Sequence, residues 1–292
     1  MHKSIASTMV TLFLASIAVV MYIWKMESTP AITFFPLDPN ISFNQATTSL
    51  TYVYDEDVEG DFGEINWSTT STVNLDLYLR QDVSLLFANG RLRGVKSKWM
   101  EEAQTIEMEE TLRVSDDTFW EAITFHHGEI HHSPDKINSI QRMSHDQLYV
   151  YTSIQADPYP FIHFKSALTD PEKQIRQHLH KMMHTQLKTY WNQLFKHFRI
   201  QTENYHLVPL TELYKYTETN LPSLSREETE QVIGRLWEGL YKNYIIPAAS
   251  TGESEWTNYT PVILFDKKGT HLLVLFELNG KKEKLIQRYP GE

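Results

Sequence analysis

The chain has 292 residues, with 27 Lys and Arg against 37 Asp and Glu, a formal charge of -10, and no cysteine. The missing thiols exclude disulfides, thiolate zinc sites, thiol nucleophiles and a lipid-modified cysteine. The acidic balance argues against a nucleic-acid partner, and 41% hydrophobic with 12% aromatic residues is enough to build a globular core.

The first element is a run without formal charge, Ser4 to Trp24. At about 1.5 Å of rise per residue, a helix of that length matches the hydrocarbon thickness of a bilayer. It is expected to be a transmembrane signal anchor behind a cytoplasmic tail of residues 1–3. Ser16 and Ala18 offer small residues for a cleaved signal peptide, but the run continues to Trp24, longer than a removable apolar segment. Tyr22 and Trp24 suit the membrane interface. The body is then expected outside the cytoplasm, at a cell membrane. A cysteine-free, single-anchor chain fits a bacterial cell envelope, of the Gram-positive kind.

Residues 25–40 hold Pro30, Pro36 and Pro39 and read as a stiff stalk. Ile32, Phe34, Phe35 and Leu37 are able to dock. Residues 41–157 read as a β-rich region. Ser49–Tyr54 and Ser71–Leu79 gather strand formers, and an acidic run follows from Asp55 to Asp61. Val83–Ala88, Asn89-Gly90 and Arg91–Lys98 form a hairpin signal, because both turn positions require positive φ. Thr105–Val114, Phe119–His132 and Leu148–Ile154 complete the strands, up to a break at Asp157-Pro-Tyr-Pro160.

Residues 158–292 read as helices followed by a β-meander. Asp170 is the expected N-cap of a long helix, with Pro171 behind it and an apolar stripe through Leu179, Met183, Leu187 and Leu194. Ser225 and Glu228 predict a capping box for a second helix, which Pro247 ends. Turns at Asp266–Gly269 and Asn279-Gly280 separate the last strands. The expected fold class is therefore α+β: an N-terminal transmembrane helix, an antiparallel β-rich region, long helices and a C-terminal β-meander.

Eleven of the 13 histidines fall between His126 and His206. With Gly128-Glu129 read as a two-residue turn, His126 would face His131 across a hairpin. Two neutral imidazoles so placed would share a divalent metal, completed by Glu129, His145 or a carboxylate distant in sequence. His180 and His184 share a helix face. No H-E-x-x-H, G-x-S-x-G, P-loop or G-x-G-x-x-G occurs. The residues thus suggest a non-enzymatic binding or regulatory module of the envelope, contacting the membrane through Ser4–Trp24 and another membrane or envelope protein. The alternative is a metal-binding protein or metal-dependent hydrolase centred on His126–His132. The layout resembles membrane-tethered regulators of bacterial sensor kinases and envelope machinery, a likeness of arrangement that no motif carries.

Overall fold

A computed structural model describes residues 32–53, 63–114, 116–133, 135–152, 161–250 and 258–289. The Ser4–Trp24 run, the tail before it, residues 25–31, the Asp55–Asp61 run and the Asp157–Pro160 break lie outside the described residues. Among the described residues, no helix is long and apolar enough to cross a membrane. Ile32–Glu292 form one compact unit.

Two strands of unusual length organise that unit. Strand β2 (Gly63–Ala88) and strand β3 (Arg91–Val114) form one hairpin, turned at Asn89 (φ 49°) and Gly90 (φ 77°). Ala88 lies opposite Arg91, as the Asn-Gly signal predicts. Pairing breaks between Thr72 and Leu77, and Glu102 on the facing strand has positive φ (47°). Such an irregularity bends the ladder. The hairpin folds back on itself there, so that the Trp67 indole N–H donates to Ser84 Oγ at 3.1 Å within the same strand.

Strand β1 (Gln45–Val53) pairs with the first half of β2, and β4 (Thr118–Ser133) with the second half. Strands β5 (Lys136–Thr152) and β6 (Phe161–Phe164) extend the sheet. The fold-back lays β1 across β4 and β5. Thr48 Oγ1 meets Thr124 Oγ1 and Ser144 Oγ, both at 2.6 Å, and the Leu50 amide donates to Asp146 at 2.8 Å. The sheet becomes a nearly closed, barrel-like roll. Its interior is apolar at both ends. Leu50, Ile65, Trp67, Leu86 and Ala122 fill one, and Phe43, Val73, Leu77, Ile130 and Ile140 the other.

The outer face of the roll supports the second half of the chain. Helix α1 (Asp170–Phe198) packs Leu179, Met183 and Leu187 on Phe119, Tyr149 and Phe164. Its N-cap is Thr169, which makes a capping box with Glu172; the expected cap, Asp170, is already helical. The second sheet runs in the order β10 (Lys281–Arg288), β9 (His271–Leu278), β8 (Val262–Asp266), β7 (Tyr205–Pro209). Val262, Leu264, Leu273 and Leu275 face α1. Ile263, Phe265, Val274 and Phe276 join Val83, Leu85, Phe125 and helix α2 (Arg226–Leu240) in the largest core. The predicted Ser225–Glu228 capping box is present. Pro247 does not end this helical stretch. A π-turn at Tyr241–Ile245 precedes it, and α3 (Ile246–Ala249) continues the chain. Proline lacks a donor and crowds the preceding turn, and the wider π-turn accommodates both effects.

The expected α+β class with long helices is corrected by these proportions. Strands hold 53% of the described residues and helical segments 28%. Only three α-helices occur among them. The strand formers of residues 63–114 read as several short strands in sequence, but sheet pairing continues through polar stretches such as Ser68–Thr72. That is tertiary pairing overriding local propensity.

Residues 32–40 are docked and do not hang as a stalk. Ile32 is buried in the largest core. Leu37 bridges Ser139 in parallel, Ser139 Oγ donates to the Phe35 carbonyl at 2.6 Å, and the Phe34 amide donates to Glu238 at 3.2 Å.

Trp67 closes the roll and has no exposed surface. Trp67→Ala is expected to cost about 3–5 kcal/mol through cavity formation and the lost indole bond. Urea unfolding followed by circular dichroism measures it. A loss under about 1 kcal/mol would show that the fold-back does not rest on this contact.

Candidate functional site

The strands of the roll alternate inward and outward, so Arg80, Asp82 and Ser84 of β2 face Thr124 and His126 of β4 inside it. These residues form a polar belt between the two apolar ends. His126 Nδ1 lies 2.7 Å from Asp82 Oδ2, and His126 Nε2 lies 2.7 Å from Ser144 Oγ. Ser71 donates to Asp82 at 2.6 Å. Arg80 contacts Ser71 Oγ, donates to the Gln104 carbonyl at 2.8 Å, and lies over the Phe43 ring. Thr48 donates to Thr124, which donates to Ser84 at 2.7 Å.

The Asp82–His126–Ser144 chain has the contacts of a nucleophile, base and orienting carboxylate. Its surroundings do not suit that chemistry. Asp82 and His126 have 0% exposure, and Thr48 sits 2.6 Å from the serine oxygen. Five clefts formed by the described residues are lined by other side chains. A reacting carbonyl needs space about 3 Å from the nucleophile and from oxyanion donors. The belt instead ties β1 to β4 and β5 and compensates the buried Arg80 charge with Asp82.

The structure brings Glu129 and His131 together but places His126 apart from them. Gly128-Glu129 is no turn; both residues lie within β4, paired with Ile140 and Ser139. His126 pairs with Arg142 and His131 with Ile137, so the two histidines do not face one another. Five positions apart, they lie on opposite faces of one strand, about 16 Å apart along it. The reason is local: β4 is long enough to carry the Gly128 position straight through, and the chain reverses beyond Ser133. Glu129 and His131 do meet, with Oε2 and Nε2 3.6 Å apart, and the His131 ring stacks on Tyr78 at 3.7 Å. Burial raises the Glu129 carboxyl, and His131 opposes that shift. His145 stacks on Tyr214 at 4.3 Å, and His180 bonds to the Tyr149 hydroxyl at 2.7 Å. No group of three or more histidine, aspartate or glutamate side chains able to hold a metal occurs among the described residues.

Three buried titratable groups lie on the outward face of β4 and β5. Glu121 is pushed up to about 7, chiefly by burial, against a lowering hydrogen bond from Thr211. His127 and His145 are pushed down to about 4, each chiefly by burial. Both His127 nitrogens lack a hydrogen-bond partner, which holds the ring neutral between Phe125 and its neighbours.

One open polar cleft, of about 410 Å³, lies at the end of the roll. Arg91, Arg93 and Arg113 line it, with Trp120, Asp116 and Gln186. Arg93 and Arg113 stand twenty positions apart on β3 and meet there because the hairpin folds back. Neither makes an ion pair or hydrogen bond among the described residues. Glu64 is opposite Arg113 in register without an ion pair. Arg91 donates to the Tyr259 hydroxyl at 2.7 Å and lies over its ring. Asp116 is engaged elsewhere. The Trp120 side chain is only 5% exposed, and its indole N–H has no partner. The sequence carries one trace of this cleft: two arginines, Arg91 and Arg93, flank Leu92 directly after an Asn-Gly turn.

Compared with protein-family models, curated proteins and solved structures, the chain matches none.

The buried groups give a pH dependence of defined sign. Unfolded, histidine titrates near 6.5 and glutamate near 4.5. The two depressed histidines contribute stability above 6.5 that is lost as pH falls through about 4. Raised Glu121 contributes stability below 4.5 that is lost as pH rises through about 7. Between these unfolded values the unfolded chain holds two histidine protons that the folded chain lacks, and the folded chain holds one glutamate proton that the unfolded chain lacks. These three groups together therefore tilt stability upward with pH there by about one proton, beside the contributions of the lowered His163 and His180 and the raised Glu129. Glu121→Gln removes the opposing proton and is expected to steepen the slope by about one proton. Urea midpoints measured at about pH 5 and about pH 6 read the difference; parallel slopes for variant and parent would refute the assignment.

Proposed function

We propose that the chain is a non-enzymatic binding module of a bacterial cell envelope, held at the membrane by Ser4–Trp24 with its body on the outer side. The observation that carries this reading is a contrast within the roll. In the Asp82–His126–Ser144 chain the carboxylate and imidazole are fully buried and the half-buried serine oxygen is crowded by Thr48 at 2.6 Å. An open cleft is lined by Arg93 and Arg113, neither of which makes an ion pair among the described residues. A relay with no room beside its serine serves structure, and unpaired guanidinium groups in a concave site serve recognition. The apolar run supplies the tether in this reading, and the cysteine-free composition supplies the compartment.

The docked segment 32–40 adds a route for regulation. It links the chain that follows the apolar run to Glu238 of α2 and Ser139 of β5. A partner that displaced the segment would expose Ile32 and its place in the core.

The test uses the full chain expressed in a Gram-positive host. Protease added to intact cells is expected to degrade the body and spare a cytoplasmic marker. A fluorophosphonate probe is expected to leave the protein unlabelled. A protected body would overturn the location, and labelling lost in Ser144→Ala would overturn the non-enzymatic reading.

A further inference from the structure

We infer that the arginine cleft at the end of the roll binds a phosphoryl group, carried on a small polyol or sugar ester or on a polymer of them. The inference rests on the binding-module reading and names the chemistry its site accepts.

Three cations converge on one cavity of about 410 Å³, within the range of small-molecule sites. A guanidinium presents a planar fork of donors that matches phosphate and carboxylate oxygens. Arg93 and Arg113 carry this capacity without an ion pair or hydrogen bond among the described residues. Arg91 is held against Tyr259 by a hydrogen bond and by the ring face, so its charge is fixed at the cleft wall. Asp116 brings one negative charge to the same wall. The balance still favours a group with more than one negative charge, or with several anionic oxygens, over a single carboxylate.

The second, independent observation is Trp120. Its side chain is more than nine-tenths buried in the same wall, and its indole N–H has no acceptor. A buried donor without a partner costs free energy, which an acceptor entering from the cleft recovers once a small side-chain shift uncovers the indole N–H. Ala88 and Leu112 add apolar lining, and Gln186 adds a neutral amide from α1. An oxyanion with an uncharged carbon skeleton matches this mixture.

The net charge of -10 does not oppose such a site. Charges are screened beyond about 8–10 Å at physiological salt, so a ligand in the cleft responds to the groups that line it.

The test titrates glycerol 3-phosphate into the full-length chain in nonionic detergent at constant ionic strength, with acetate as the comparison. Calorimetry and tryptophan fluorescence provide the readouts. Saturable binding of the phosphate is expected, with acetate at least about tenfold weaker. The double variant Arg93→Gln with Arg113→Gln is expected to weaken phosphate binding by more than about tenfold. Both side chains are exposed, and an unchanged unfolding midpoint confirms that the variant folds. The variant Lys173→Gln with Lys281→Gln removes as much charge away from the cleft, and binding is expected to stay within about twofold.

A second arm uses vesicles containing phosphatidylglycerol. Binding to vesicles alone, lost in the arginine double variant, supports the phosphoryl chemistry with a lipid headgroup as its source. No saturable binding in either arm, equal binding of acetate, or equal binding by the arginine variant would overturn the inference. None of these outcomes bears on which side of the membrane the body lies, so the two readings fail separately.

Discussion

The fold-back of the β2–β3 hairpin is the constraint from which the remaining structure follows. A 26-residue strand cannot stay flat over a small core, and pairing fails between Thr72 and Leu77. Beyond that bend, Trp67 reaches Ser84 of its own strand, and Lys96 reaches Glu110 of its own strand at 3.3 Å. One irregularity thereby creates the interior of the roll, seats β1 across β4 and β5, and gathers both ends of β3 at one mouth. The arginine cleft is a product of that closure. Arg93 and Arg113 would stand far apart on a straight strand, about 66 Å at 3.3 Å per residue.

The polar belt addresses a problem that this architecture raises. Ser68-Thr69-Thr70-Ser71-Thr72 offers little apolar contrast between its two faces, and a strand of that kind specifies its register weakly. A one-residue slip would turn Trp67 and Ile65 outward. The belt penalises such a slip, because Asp82, His126, Ser144 and Thr48 satisfy one another in only one alignment. Buried charge of this sort adds little net stability, since desolvation offsets much of the attraction. Its contribution is to make the alternatives worse, by leaving Arg80 or Asp82 unpaired.

Local signals in the sequence were readable where they were self-contained. The Asn89-Gly90 turn, the Ser225–Glu228 capping box and the turn at Asn279-Gly280 each depend on residues within a few positions. What stayed hidden depends on pairing over distance. Asp82, His126 and Ser144 come from three strands, and nothing in a linear reading places them on one inward face. The histidine cluster misled for a related reason. Gly128 resembled a turn residue, whereas inside β4 the space above it is taken by Leu77 and Ile140, and a side chain there would collide with them. Its lack of a side chain serves packing, and the reversal lies six residues downstream, between Ser133 and Lys136. The cleft was half legible: Arg91 and Arg93 alternate beside a turn, but Arg113 joins them only through the bend.

Charge distribution completes the physical picture. From a distance the molecule presents its net negative charge, which slows the approach of large polyanions. At the mouth of the roll the sign reverses over the span of one small group, where Arg91, Arg93 and Arg113 converge. A thin or small anion reaches the cleft with few of its other charges facing the acidic surface, while a broad anionic surface meets repulsion across its whole area. Selectivity between them then comes from the acidic surroundings as much as from the arginines, and it weakens as salt shortens the range of both effects.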